Sequence, residues 1–286
     1  MQVEIGRTSR LGNREINQDR LGAFVSEQGV LLVLGDGLGG RPGGDIAAQA
    51  LVDTIETELD LHPLPAEDPP RFLHELLRRA HRAVLLSGQE QEPPLAPGTT
   101  AVLCLVQEGK AWWAHVGDSR FYLFRDGLPI YRTQDHSYVE QLYQAGRIPL
   151  SKRQGHPMRN FVTQCIGLNP GEPQVSVTNS GVPLQEGDVL LLCSDGFWEP
   201  LDDALIGSSL DTRSLRDSIG KLAEQAEQSS YPQSDNTSAV AARIISLQQP
   251  RKTIQQTARR RHDVNTLDGA IEEIERAIKA YEDEMK

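Results

Sequence analysis

Four aspartates recur in one kind of local setting: Asp36 in Leu-Gly-Asp-Gly, Asp118 in Val-Gly-Asp-Ser, Asp195 in Cys-Ser-Asp-Gly and Asp235 in Ser-Asp-Asn. The first three directly follow short apolar runs that read as strands, so each carboxylate would stand on the rigid end of a β-element. A neighbouring glycine lets backbone carbonyls approach a cation closely. Hard divalent cations such as Mg2+ or Mn2+ take their ligands from a few carboxylates, carbonyls and waters. Taken singly, an Asp-Gly after a strand is more often a plain turn. Repetition at strand ends, together with Arg14, Asn17, Gln18 and Asp19 near the start of the chain, points instead to acids gathered around metal. They are separated by tens of residues, unlike the close alternation of an EF-hand loop.

Such acids must be positioned by a folded core, and the chain has the means to build one. Its 286 residues are 38% hydrophobic and 24% charged, ordinary values for a globular protein. A formal charge of -11 argues against nucleic acid as a partner. The longest apolar runs, such as Val30 to Leu34, are too short for a membrane span, and residues 1–20 carry no apolar signal region. A cytoplasmic location is therefore expected. Cys104, Cys165 and Cys193 lack the spacing of a zinc site or a disulfide framework and read as reduced thiols.

Strands are expected over residues 2–8, 20–26 and 29–35, then helices from Asp45 to Leu59, with Asp45 as its N-cap, and from Arg71 to Leu86. Strands follow at Thr100 to Val106, Ala111 to Val116 and Phe121 to Phe124, with a hairpin turn at Glu108, Gly109 and Lys110. A short helix from His136 to Gln144 precedes an irregular stretch, 146–173. Strands at 174–179, 188–193 and 237–245 and a helix near 212–228 complete the domain, placed at 1–247. Closely spaced strands with helices in pairs indicate an α+β sandwich and not alternating βαβ units.

The remaining residues, 248–286, read as a separate tail. A basic stretch holding Arg251, Lys252, Arg259, Arg260 and Arg261 leads into a helix with a seam of Leu267, Ile271, Ile274, Ile278 and Tyr281, capped by Asn265 or Thr266. Packing back on the domain and binding a protein partner are both open readings of it.

In order along the chain, Arg14-Glu-Ile-Asn17-Gln18-Asp19, Gly35-Asp36-Gly37-Leu38-Gly39-Gly40, Gly98-Thr99-Thr100-Ala101, His115-Val116-Gly117-Asp118-Ser119-Arg120, Gln134-Asp135-His136-Ser137, Gly187-Asp188 with Leu191 to Gly196, and Asp235-Asn236-Thr237-Ser238 resemble the motifs of the type 2C metal-dependent serine/threonine protein phosphatases, the PPM family, and of its bacterial members in particular. The resemblance covers about residues 1–246. It implies a four-layer α-β-β-α sandwich of two mostly antiparallel sheets flanked by helix pairs. It also implies hydrolysis of phosphoserine and phosphothreonine on proteins by a water bridging two Mn2+ or Mg2+ ions, in opposition to a serine/threonine kinase.

Residue roles come with the resemblance. Asp36 would bridge the two metals, the Gly37 carbonyl would bind one of them, and Asp195 with Asp235 the other. Asp19, Gln18 and Asn236 would act around these ligands, Asp19 through bound water. Asp118 with Asp195 would hold a third, weaker metal, and Arg14 would grip the phosphate with its planar fork. Two departures stand out: Leu38 replaces a histidine able to protonate the leaving alcohol, and Gln18 replaces a frequent glutamate. Residues 146–173 correspond to the family's flap, where Arg147, Lys152, Arg153 and Arg159 are candidates to attract acidic phosphopeptides, although solvated loop charge is the commoner reason for such residues. His115 reads as a packed strand residue, His156 as an exposed loop residue, and Trp112, Trp113 and Trp198 as core or rim aromatics. The rival reading is a catalytically silent module that keeps the fold and binds phosphoproteins or acts as a scaffold.

Overall fold

The computed structural model describes residues 1–153, 155–210 and 214–247. The tail from 248, with its expected helix, lies outside the described residues, as does the expected helix start at 212.

Period-two apolar patterning builds two sheets. The first joins β1 (Gln2–Arg10), β13 (Thr237–Ser246), β12 (Val189–Cys193), β7 (Arg120–Arg125) and β8 (Leu128–Arg132), in that order. The second orders β10 (Ser176–Val177), β6 (Lys110–Val116), β5 (Ala101–Gln107), β3 (Gly29–Asp36) and β2 (Asp19–Val25), with β11 (Val182–Pro183) also on β6. A two-residue pair, β4 (Gly98–Thr99) with β9 (Ile166–Gly167), stands apart, and all these pairings are antiparallel.

Along β3 the side chains alternate between two interiors, which is why the strand reads as one continuous apolar run. Leu31 and Val33 pack under α1 (Gly44–Leu61) and α2 (Pro69–Gln89), against Leu51, Ile55, Leu73 and Leu77. Val30, Leu32 and Leu34 face the other sheet, meeting Phe121, Leu190, Leu192 and Val240. On that sheet's far face, Tyr122, Leu191 and Ala241 are covered by α4 (Asp195–Trp198), α5 (Asp203–Leu210) and α6 (Leu215–Ser230). The expected four-layer α-β-β-α sandwich is therefore present, with three apolar interfaces between its layers.

Helix starts follow capping chemistry. Asp68 accepts from the Arg71 amide at 3.2 Å with Pro69 in the first turn, so α2 begins two residues earlier than the apolar spacing indicates. Ser137 caps α3 (Tyr138–Gln144) by accepting from the Glu140 amide at 3.3 Å. The expected N-cap at Asp45 is corrected: α1 begins at Gly44 after Gly43, whose φ of 89° suits glycine, and Asp45 lies inside the first turn. There its charge still favours the helix N-terminus.

Each sheet contains a hairpin closed by a tight turn. Glu108 and Gly109 join β5 to β6 with φ of 50° and 70°, and Asp126 and Gly127 join β7 to β8 with φ of 48° and 70°. Both are two-residue hairpin turns with two positive φ values, whose twist matches the strands. Lys110, expected in the turn, already belongs to β6.

Candidate metal centre

Antiparallel pairing sets the end of one strand beside the start of the next, and the acidic motifs occupy such junctions at one end of the sandwich. Asp19 opens β2 and Asp36 closes β3, and the two are register partners. Asp195 follows Cys193 and Ser194 at the end of β12, and Asp235 and Asn236 lead into β13, the neighbour of β12. Asp118 lies in the β6–β7 connection.

Hydrogen bonds tie these junctions together. The Ser194 hydroxyl donates to Asp19 Oδ2 at 2.9 Å and accepts from the Ser238 amide at 3.0 Å, linking the two sheets. The Gln18 amide donates to Asn236 Oδ1 at 2.8 Å, while Asn236 Nδ2 donates to the Leu11 carbonyl at 2.8 Å. Around Asp36 the main chain is fixed twice: its amide donates to Thr100 Oγ1 at 3.0 Å, and its carbonyl accepts from Thr99 Oγ1 at 2.9 Å. Thr100 Oγ1 in turn lies 2.6 Å from the buried Ser119 hydroxyl, which connects the Asp36 strand end to the Asp118 loop.

Two glycines are held to their type by close approach. A Cβ on Gly37 would sit 2.3 Å from the Gly44 carbonyl oxygen, and one on Gly196 would sit 2.2 Å from that of Asn236.

The electrostatics are those of like charges crowded out of water. Burial first, and then the charges of Asp19, Asp195, Asp118 and Asp235, push the Asp36 carboxyl well above the carboxylate range. Burial followed by Asp118, Asp235 and Asp19 does the same to Asp195. Asp19 is raised to about 6, chiefly by burial, with the Ser238 and Ser194 hydroxyls opposing the shift. Asp118 is raised to about 7 by burial and then by Asp135. Asp19, Asp36, Asp118 and Asp195 are thus each near enough to another acid for its charge to be felt.

The donor set fits hard divalent cations. It consists of carboxylate and carbonyl oxygens without cysteine or histidine, and Asp19 Oδ1 is buried with no hydrogen-bond donor. As the side chains stand, no group of three His, Cys, Asp or Glu among the described residues is gathered tightly enough to hold an ion. Asp235 Oδ2 instead accepts from the Arg14 guanidinium at 2.6 Å. A bound cation would offset the repulsion among these carboxylates.

The expected flap residues separate by environment. Arg147 is exposed. Arg153 is half-buried, with 12% of its side chain exposed, pairs closely with Glu140 and reaches Asp135 at 3.4 Å. Arg159 bridges to Glu199 at 3.1 Å. The flap follows the short helix α3 and carries a 3-10 turn at Leu150–Lys152, and the expected strand at 174–179 shrinks to Ser176–Val177. His115 is packed as expected, stacked on His136 with ring centroids 4.5 Å apart, whereas His156, expected to be exposed, is half-buried. Trp113 stacks on Phe121 at 4.4 Å, and Trp112 lies in the core under the helices.

Several residues at the site were not singled out from sequence. Arg120 forms a buried bidentate pair with Asp135, both contacts at 2.8 Å, and its guanidinium carbon lies 3.2 Å over the Trp198 ring. Trp198 Nε1 donates to the Asp118 carbonyl at 3.0 Å. Thr100, Ser119 and Ser194 fall within the family-like motifs, but nothing in the spacing tells a hydroxyl that fixes a ligand from one that does not.

The model of the family described as Protein phosphatase 2C matches residues 7–235. The serine/threonine phosphatase stp of Listeria innocua is 30% identical over 201 residues, covering 69% of this chain and 79% of that one. Among solved structures, the Stp1 serine/threonine phosphatase of Staphylococcus aureus superposes with a TM-score of 0.77 at 26% identity, covering 86% of this chain and 96% of that one. The catalytic domain of PstP, solved with two manganese ions, superposes with a TM-score of 0.69 at 28% identity, covering 85% and 99%. Shared architecture, the ordered motifs and a family match over most of its length agree: this chain belongs to the protein phosphatase 2C family.

Proposed function

We propose that the chain hydrolyses phosphoserine and phosphothreonine monoesters on proteins with two Mn2+ or Mg2+ ions held by Asp36, the Gly37 carbonyl, Asp195 and Asp235. Asp118 with Asp195 would hold a third, weaker ion, and Asp19, Gln18 and Asn236 would orient coordinated water. The observation that supports this reading is geometric: Asp19 and Asp36 are register partners on β2 and β3, Ser194 beside Asp195 bonds Asp19 at 2.9 Å, and Asn236 beside Asp235 accepts from the Gln18 amide at 2.8 Å, so the acidic motifs of both sheets share one end of the sandwich. When bound, the cations lower the pKa of coordinated water and neutralise phosphoryl charge.

The chain's own residues do the positioning. Thr99 and Thr100 hold the Asp36 main chain before substrate arrives, and Ser194 orients Asp19. Arg14, about half exposed and tied to Asp235 through one nitrogen, has further N–H donors for a phosphate oxygen. Leu38 donates no proton, so no side chain at that position protonates the leaving alcohol.

The partners in this reading are phosphoproteins made by a serine/threonine kinase, with 1–247 as the catalytic domain and 248–286 as a partner-binding arm. A cytoplasmic place for it accords with the described residues, among which no helix is long and apolar enough to cross a membrane. The test is hydrolysis of a phosphothreonine peptide with Mn2+ by the full chain. Turnover is expected with metal and is expected to be lost in chelator and in Asp195→Asn. Peptide binding without turnover would support the silent module instead, and metal-independent turnover surviving Asp195→Asn would contradict both the metals and the residues assigned.

A further inference from the structure

A cavity of about 750 Å3 opens beside Asp118, within the roughly 300–1,000 Å3 typical of ligand pockets. Its walls come from three parts of the chain: Arg120 and Arg132 on the β7–β8 hairpin, residues of α3, its approach and the flap between Asp135 and Arg159, and the α4–α5 segment from Trp198 to Ala204. It is continuous with the metal centre, because Asp118 belongs to both and Trp198 holds the Asp118 carbonyl. Val139, Leu150, Trp198 and Leu201 give it apolar surface, Leu201 buried and Leu150 59% exposed.

Four arginines line this cavity, which at first sight marks it for acidic ligands. Each is already matched. Arg120 is committed to Asp135 in a buried pair and the half-buried Arg153 to Glu140, while Arg159 is bridged to Glu199 and Arg132 to Asp203 at 3.1 Å. Asp202 is exposed on the lining, and its carboxylate has no ion-pair or hydrogen-bond partner among the described residues. With Asp118 assigned to metal, the uncompensated charge of the cavity is negative and sits beside Leu201.

We propose that this cavity receives the substrate chain next to its phosphorylated residue and selects a lysine or arginine there. The aliphatic stem lies on Trp198, Leu201 and Leu150, and the cationic head reaches Asp202. Long basic side chains suit such a place because they bury a hydrocarbon stem while keeping the charge at the rim. The proposal rests on the phosphoprotein hydrolase reading and adds a substrate class to it.

The test is a set of phosphothreonine peptides with Lys, Ala or Glu placed singly at each of the nearest positions on either side, an extended chain advancing about 3.3 Å per residue. With Mn2+ and the full chain, one position is expected to give a kcat/KM about ten-fold higher for Lys than for Glu, a preference that shrinks as salt rises. Asp202→Asn is expected to reduce that ratio to about two-fold and Asp202→Lys to invert it. A ratio between peptides is independent of the fraction of variant that folds. Equal rates for all peptides, a preference for Glu in the unaltered chain, or a Lys preference surviving Asp202→Lys would each overturn the pocket assignment while leaving the hydrolase reading intact. Failure of the unaltered chain to hydrolyse any peptide or a simple aryl phosphate would overturn both.

Discussion

Asp118→Asn is expected to stabilise the chelated protein at neutral pH while weakening its hold on metal. Asp118 is 6% exposed and titrates at about 7, against an ordinary value of 3.8. An ionised carboxyl so displaced costs about 4 kcal/mol of folding stability at pH 7.5. Burial is the largest cause of that shift, followed by Asp135, and asparagine is still a buried polar group, so removing the charge should return about 2–4 kcal/mol, or roughly 5–15 °C in Tm. The sign follows from proton binding: the folded state holds the proton over about pH 4 to 7 where the unfolded chain does not, so stability falls as pH rises through that window. At pH 5, below the raised value, most of that cost is absent, and the gain from asparagine should shrink accordingly. Thermal melts of both proteins in chelator at pH 7.5 and pH 5 measure this. A variant less stable than the parent at pH 7.5, or an equal gain at both values, would refute the claim that Asp118 is a charge held under repulsion. With Mn2+ in excess the order should reverse, because binding to the folded state stabilises the chain that binds better.

Two other expectations arise from particular contacts. Arg153→Ala leaves Glu140 and Asp135 buried with one cation fewer, and should cost about 3 kcal/mol in urea denaturation, where a surface arginine would cost almost nothing. A chain ending at Leu247 should keep its aryl phosphate turnover, since the described core closes with β13; a truncated chain that fails to fold would show that the tail belongs to the core.

How far the molecule was legible from its residues depended on whether the cause of each feature was local. The strands of both sheets and the helices α1, α2 and α6 announce themselves through apolar period, and the acids through their repeated place at strand ends. β8 went unread because Pro129 interrupts its alternation and all five of its residues are exposed, yet Asp126-Gly127 before it carried a hairpin signal. α4 was hidden because Asp195-Gly196 reads as a turn, and its four residues are too few to show a period. The start of α1 follows from Gly43, whose φ of 89° precedes the first helical residue, Gly44, whereas the sequence offered Asp45 as the more usual capping side chain. For the flap arginines, sequence shows charge but not partner, and Arg153 finds Glu140 and Asp135 across a fold that only coordinates reveal. Likewise the Arg120–Asp135 pair and its Trp198 cover unite residues from two motifs and a tryptophan outside them into one wall.

The central claim is that Asp36, Asp195 and Asp235 share a pair of divalent cations on which hydrolysis depends. Counting Mn2+ bound to metal-free protein by electron paramagnetic resonance, while following aryl phosphate hydrolysis in the same samples, tests it most directly. The account predicts no turnover without metal, turnover that appears as the second ion binds, and loss of both tight binding and turnover in Asp36→Asn. Full turnover in chelator, or two ions held by Asp36→Asn as tightly as by the parent chain, would contradict it.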